Sequence, residues 1–294
     1  MNRLNLYDIS IDDNFKAVKS GLHKDKRKFM VDNEVSIKGS WNDYATRMHT
    51  NPCRLHELTQ LWEIEDNDVA SEKDRKQECR DISYELYGSD RPFVNKHMEK
   101  LKKANGGGDI VCPICGIELW DEVDHHIPRA TFPEYSGLCY NLIPLCHDCN
   151  HEKSDLWLDD NRNRLIFNAY IDEANDGYLE SRLSIVDGFP KITIYQKNDI
   201  TPIIQSTLCE LKLIKRYQRE AEKVLRTETH KLERLFSQRK HATMTLWSLR
   251  KSEYSDYSID TAFSIVERLV YKEIGFSDLF EGWLKSKMNI KKRI

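Results

Sequence analysis

Apolar and polar residues alternate along this chain with two different periods. Over residues 1–108 the spacing is helical. "CRLHELTQLWEI" (53–64) repeats its apolar positions every three to four residues, and "RKQECRDISYELYG" (75–88) continues that character until Gly88. "DRPFVNKHMEKLKKANGGGD" (90–109) predicts a helix that begins near Pro92 and stops at Gly106, Gly107 and Gly108. Over residues 159–200 the pattern shortens. "RLIFNAYID" (164–172), "YLESRLSIV" (178–186) and "PKITIYQK" (190–197) read as strands. Residues 201–294 return to the helical period. "IIQSTLCELKLIKRYQREAEKVLRTETHKLERLFSQRK" (203–240) predicts one long amphipathic helix or two in series, followed by helices in 259–275 and 276–288. Residues 109–158 follow neither period. The pattern predicts an α+β chain, mainly α, in four regions: 1–108 helical, 109–158 compact, 159–200 a small β region, and 201–294 helical.

Composition narrows the class. Charged residues make up 32% of 294 residues, and no apolar run is long enough to cross a bilayer, so a membrane protein is not expected. The first twenty residues lack the apolar stretch of a secretory leader, which predicts a cytoplasmic location. A net charge of −3 argues against binding nucleic acid through general electrostatics, while leaving room for a local basic surface.

The unusual chemistry sits in the compact region. Cys112 and Cys115 form one C-x-x-C turn, and Cys146 and Cys149 form a second. Each turn offers two thiolates at the bite zinc requires, so the four cysteines predict a structural Zn²⁺ site. Buried free thiols are the alternative. Cys139 falls outside the pattern and is expected in the core, as are Cys53, Cys79 and Cys209.

Between the two pairs lies "DEVDHHIPRATFPEYSGLCYNLIPL", followed by "CHDCNHEKSD". Asp124, His125 and His126 are adjacent, and successive side chains of a strand face opposite ways. The combination of "DEVDHHIP", then "NL", then "C-x-x-C-N-x-x-K" resembles the HNH endonuclease family, over about residues 110–156. That resemblance implies a ββα-metal unit at the centre of the chain. It implies that Asp124 is a ligand of a catalytic metal, His125 the general base, and Asn141 the residue that pins the hairpin loop and orients the base. Asn150, in the family's third signature position, becomes the second metal ligand. Lys153, one turn on, is placed to touch a phosphate, and His126 points away.

The chemistry is consistent with that resemblance. Phosphodiester hydrolysis needs a base for water and a cation for the leaving oxygen. A neutral imidazole suits the first task. Oxygen ligands from Asp124 and Asn150 suit Mg²⁺ or Mn²⁺ for the second. His126 replaces His125 as the base if the register slips by one. His147 and His151 flank Asn150 as further candidate ligands or as solvent-facing positions. Glu122, two residues before Asp124, is a supporting carboxylate or a solvated charge.

Lys212 to Lys251 holds twelve Lys or Arg against four Glu, with Tyr217, Phe236 and Trp247 interleaved. This segment is either a phosphate-contacting surface or the charged face of a bundle whose core holds the aromatics. The layout of the chain is also similar to nuclease subunits of bacterial antiphage systems of the Septu type, which implies a role in antiviral defence beside a separate ATPase or sensor subunit. No P-loop of the form G-x-x-x-x-G-K-[ST] is present, so any ATPase would be another chain. The expected function is metal-dependent DNA cleavage. An inert zinc-stabilised nucleic-acid-binding scaffold and a stand-alone restriction-type enzyme are the alternatives.

Overall fold

The computed structural model describes residues 1–88, 91–173, 176–238, 243–259 and 263–290. The chain is mixed α/β and mostly helical. It divides into two compact units, Met1–Ala174 and Asn175–Ile294. Gly106–Gly108 therefore lies inside the first unit. The backbone explains its role: Gly106 and Gly107 have φ of 95° and 78°, and the Gly107 N–H returns to the Lys102 carbonyl at 2.8 Å. The glycines cap a helix, where left-handed backbone is needed and a Cβ is costly.

In the first unit, helices α1 (Ile11–Ser20), α2 (Lys24–Asp32), α3 (Glu34–Thr50), α4 (Ala70–Tyr84) and α5 (Pro92–Ala104) precede a hairpin of β1 (Glu122–His125) and β2 (Leu142–Leu145), which leads into α6 (His147–Lys153). Ser10 caps α1 by accepting from the Asp13 N–H at 3.0 Å, and Pro92 opens α5 as expected. β1 and β2 are antiparallel, with Glu122 opposite Leu145 and His125 opposite Leu142. Their register buries every residue of β2.

The loop joining the two strands, residues 126–141, is clasped by the N-terminal helices. Asn14 donates to the Gly137 carbonyl at 3.0 Å and accepts from the Cys139 N–H at 2.8 Å. The Trp41 indole donates to the Glu134 carbonyl at 2.7 Å. A Cβ on Gly137 would meet Val18 methyls at 3.1 and 3.2 Å, so α1 approaches closely there and a larger residue would have to push Val18 aside. Phe15, Trp41, Tyr44 and Tyr135 fill the space beneath.

Two segments depart from the expected pattern. In 53–64 only Pro52–Glu57 is helical, as a short 3₁₀ turn. Leu55, Leu58 and Trp62 are buried at helical spacing. However, the Leu61 N–H donates to the Glu134 carboxylate at 2.6 Å, a tertiary partner in place of an intrahelical one. Residues 164–172 are a loop rather than a strand. Ile166, Phe167, Ala169 and Tyr170 are buried, which produces the apolar run, while Arg164 and Asp172 close the segment with bonds of 2.7 and 3.0 Å. Periodicity cannot separate such a buried loop from a buried strand.

The second unit holds β3 (Leu179–Val186), β4 (Phe189–Gln196), α7 (Pro202–Glu210), α8 (Leu213–Gln238), α9 (Thr243–Tyr257), α10 (Ile265–Phe276) and α11 (Asp278–Ile290). Residues 203–238 thus form two helices in series, broken where Lys212 takes φ of 51°. Asp187 and Gly188, with φ of 51° and 76°, make the two-residue turn between β3 and β4, where left-handed backbone matches the twist of a hairpin. Gln218 of α8 accepts from the Ile194 N–H and donates to the Ile192 carbonyl, both at 2.8 Å, so a side chain covers the open edge of β4. Tyr217, Phe236 and Trp247 are buried. They belong to the core of this unit and do not serve as stacking platforms, because the helical stripe that carries them faces inward. Among the described residues, no helix is long and apolar enough to cross a membrane.

Candidate functional site: a four-cysteine cluster beside a histidine-ended hairpin

The first C-x-x-C pair sits on a tight turn. The Cys112 N–H donates to the Glu118 carbonyl at 2.7 Å, and the Gly116 N–H returns to the Cys112 carbonyl at 2.9 Å, with Gly116 at φ of 65°. The second pair opens α6, with Cys146 at its N-cap and Cys149 one turn in. All four side chains are buried and their sulfurs lie within 4.8 Å of one another. Cys115 Sγ and Cys146 Sγ are 3.8 Å apart, which matches the edge of a tetrahedron with Zn–S bonds of about 2.3 Å. Without an ion the thiols cannot all ionise together. Hydrogen bonds from neighbouring thiols, Cys112 first, pull Cys146 down to about 6, while burial pushes Cys112 up. A cation removes that conflict, so the cluster can hold a structural metal such as zinc. It is the group of three or more Cys, His, Asp and Glu side chains that converges among the described residues.

The hairpin places the other predicted residues. Glu122 and Asp124 share one face of β1, and α6 lies along it. Near the start of α6, Glu122 Oε1 is 2.8 Å from His147 Nδ1, and Glu122 Oε2 accepts from the Asn150 amide. The donated hydrogen bonds, His147 first, hold the Glu122 carboxyl below its usual range. At the end of α6, Lys153 Nζ lies 2.6 Å from Asp124 Oδ2 and donates to the His125 carbonyl at 2.7 Å. Burial pushes the Asp124 carboxyl up from its ordinary value, against the pull of the Lys153 ammonium. Removing either partner leaves the other charge buried alone, at about 3–5 kcal/mol. Lys153 is buried, so its place is beneath the hairpin and not on an exposed phosphate-contacting face. His151 is exposed, with its ring 6.2 Å from that of His147.

The adjacent histidines are both buried but differ in their partners. His125 Nε2 is 3.1 Å from the Ser136 carbonyl. A carbonyl only accepts, so Nε2 carries the proton and the neutral ring keeps its lone pair on Nδ1. Nδ1 is not among the buried atoms sealed off without a partner. Both nitrogens of His126 are sealed off and unpartnered, and its ring packs edge-on to Trp157 at 5.3 Å. Burial lowers His125 to about 3, and it keeps His126 neutral as well. Asn141 fixes the backbone that follows them. Its side chain accepts from the Ile127 N–H at 2.8 Å and donates to the Ile127 carbonyl at 3.0 Å, while its own carbonyl accepts from the His126 N–H at 2.8 Å. Tyr44 of α3 donates to Asn141 Oδ1 at 3.2 Å.

Sequence reasoning missed Ser136, Tyr44 and Tyr87. The Tyr87 ring stands edge-on to His125 at 4.5 Å, and its hydroxyl donates to the Val123 carbonyl at 2.9 Å. Nothing in "YELYG" marks Tyr87, because its contacts are made across 36 residues or more.

This chain is 41% identical over 64 residues to Protein ea31 of Escherichia phage lambda; the stretch is 21% of this chain and 21% of that protein. The chain thus spans about a fifth of that relative's length. No family profile and no solved structure matches the chain.

Proposed function

We propose that this protein is a metal-dependent endonuclease of the HNH type that hydrolyses phosphodiester bonds of DNA. One observation carries the reading. His125, 5% exposed, has its Nε2–H tied to the Ser136 carbonyl, which keeps the lone pair on Nδ1, beside the Asp124 carboxylate at the end of a hairpin backed by α6. This is the arrangement a general base requires: a fixed ring, a defined tautomer and an available lone pair. His126, sealed in the core, cannot take that part.

In this reading His125 Nδ1 accepts a proton from the attacking water. Its low proton affinity keeps the ring neutral, and a bound phosphate raises that affinity by placing negative charge nearby. Asp124 and Asn150 would hold Mg²⁺ or Mn²⁺. Asn150 turns its amide nitrogen to Glu122, which leaves its Oδ1 as an oxygen donor, in keeping with the preference of a hard cation. Such an ion, when bound, would supply charge stabilisation for the phosphate and the leaving oxygen. Lys153 keeps Asp124 in place from below. The four-cysteine cluster serves structure, because it fixes the start of α6 on which Asn150 rides.

The test is cleavage of plasmid DNA by the purified protein with Mg²⁺ or Mn²⁺, with and without chelator, beside His125→Ala. Cleavage that needs both the metal and His125 supports the reading. An inert wild-type protein that still binds DNA supports the scaffold alternative. Action within an antiviral complex beside an ATPase subunit rests on the layout of the chain alone. A native complex of the monomer's mass, fully active without added protein or nucleotide, argues for a stand-alone enzyme.

A further inference from the structure

We propose that Arg129 is the phosphate-gripping side chain of this site, held ready by Tyr84 and Tyr87. The proposal rests on the nuclease reading and names the residue that takes hold of the substrate.

Arg129 follows Pro128 on the loop that leaves β1. Its guanidinium carbon lies 4.1 Å from the Tyr84 ring centre and 5.4 Å from that of Tyr87. The Tyr87 ring is in turn 4.5 Å from His125. Tyr87 thus touches both the arginine and the imidazole. The backbone here is fixed: the Thr131 and Phe132 N–H groups both return to the Pro128 carbonyl, at 3.1 and 2.9 Å, and Arg80 donates to the Ala130 carbonyl at 3.1 Å.

Among the described residues, no carboxylate neutralises the charge of Arg129. Its contacts among the described residues are with tyrosine rings, and no carboxylate or carbonyl takes its N–H groups. Other arginines of this unit differ. Arg47 meets Asp43 and Glu57, Arg54 meets Glu57, and Arg164 meets Asp172. A guanidinium stacked by its face keeps its in-plane N–H fork for a ligand, and that fork matches two phosphate oxygens. Lys153, the other cation near His125, is already committed to Asp124 and the His125 carbonyl. A phosphate brought to His125 therefore finds Arg129 as its available cation.

The experiment measures binding of a DNA duplex by fluorescence anisotropy in chelator, across a salt series, in the His125→Ala background. Adding Arg129→Ala is expected to weaken binding about tenfold and to reduce the salt slope by about one. Arg129→Gln, which keeps the stem and loses the charge, repeats the measurement where alanine compromises folding. Tyr84→Leu is expected to raise KM more than it lowers kcat, because it removes the support and leaves the charge. Unchanged affinity and slope in both Arg129 variants overturn the proposal while leaving the nuclease reading standing. Metal-dependent cleavage that survives His125→Ala overturns the assignment of the base instead. A parent protein that binds no duplex at low salt overturns both.

Discussion

The two chemical centres of the first unit are built in opposite ways. The cysteine cluster draws its four donors from two short turns, each shaped by its own backbone hydrogen bonds, and the first turn is tied further to the N-terminus by the Asn2 N–H on the Pro113 carbonyl at 2.7 Å. The hairpin end draws on Asp124 and His125 from one strand, Asn141 before the next, Lys153 and Asn150 from α6, and Tyr44 and Tyr87 from far upstream. A local site keeps its geometry wherever its turns form. A distributed site keeps its geometry only when the surrounding helices are docked. The 109–158 segment is therefore not a self-contained module with helices attached, because its loop is clasped by Asn14, Trp41 and Leu61.

The largest test of this contrast removes a cysteine. Cys149→Ser is expected to lose the structural metal and to destabilise the first unit by several kcal/mol, since structural zinc binding is coupled to folding. Elemental analysis and hydrogen exchange check it: protection should fall in residues 112–120 and in α6, and persist in β3 and β4. Zinc-free native protein with unchanged unfolding in Cys149→Ser would break the comparison at its stronger half.

Next come the paired histidines. His125→Ala is expected to lower the cleavage rate by about 10²–10⁴ while sparing zinc. His126→Ala should leave the rate of the folded protein near wild type but cost about 2–4 kcal/mol of stability, by opening a cavity against Trp157. Single-turnover rates and urea unfolding separate the two. The reverse pattern would move the base to His126.

Glu134 tests the clasp. It is buried on the hairpin loop, accepts from the Leu61 N–H at 2.6 Å, and is raised by burial from 4.5 to about 7. The sign follows from proton binding. Between those two values the folded carboxyl holds a proton that the unfolded one has released, so stability falls as pH rises through this window. At about 1.4 kcal/mol per pH unit the loss approaches about 3 kcal/mol by pH 8. Glu134→Gln should flatten that slope. Equal pH dependence of unfolding in the two proteins would show that another group is responsible.

These contrasts also explain what could be read in advance. The cysteine pairs, the helix starting at Pro92 and the strands β3 and β4 are set by local rules, whereas the helical period of 203–240 fits one helix or two and does not choose between them. The metal ligands expected at Asp124 and Asn150 lie on β1 and on the helix beside it, but the direction of Lys153 was not readable. A lysine one turn beyond Asn150 looks exposed on a helical wheel, and only the packing of α6 on β1 turns it inward. Arg129 was equally hidden. Its neighbours in sequence say nothing of Tyr84 and Tyr87, which arrive from the other side of a helix and a loop. The basic stretch 212–251 left two readings open, and the burial of Tyr217, Phe236 and Trp247 fits the one that places its aromatics in the core.

The smallest effect is expected at Glu122, and it bears on the weaker half of the comparison. Its two carboxylate oxygens serve different residues: one lies 2.8 Å from His147 Nδ1, and the other accepts from the Asn150 amide. The second contact fixes which way the Asn150 amide is turned and so aims its Oδ1. Glu122→Gln keeps the size but offers one acceptor in place of two, so it cannot serve both neighbours. Outer partners of metal ligands cost about 10–100-fold in metal affinity or activity when altered, and a surface position belongs at the low end. Glu122→Gln should therefore cleave about tenfold more slowly at low Mg²⁺ and recover most of the rate at high Mg²⁺, with zinc content unchanged. His147→Ala, which removes only the exposed contact, should change little. If Glu122→Gln shows the wild-type rate at every Mg²⁺ concentration, Asn150 is aimed by the helix alone, and the hairpin site is less distributed than its hydrogen bonds imply.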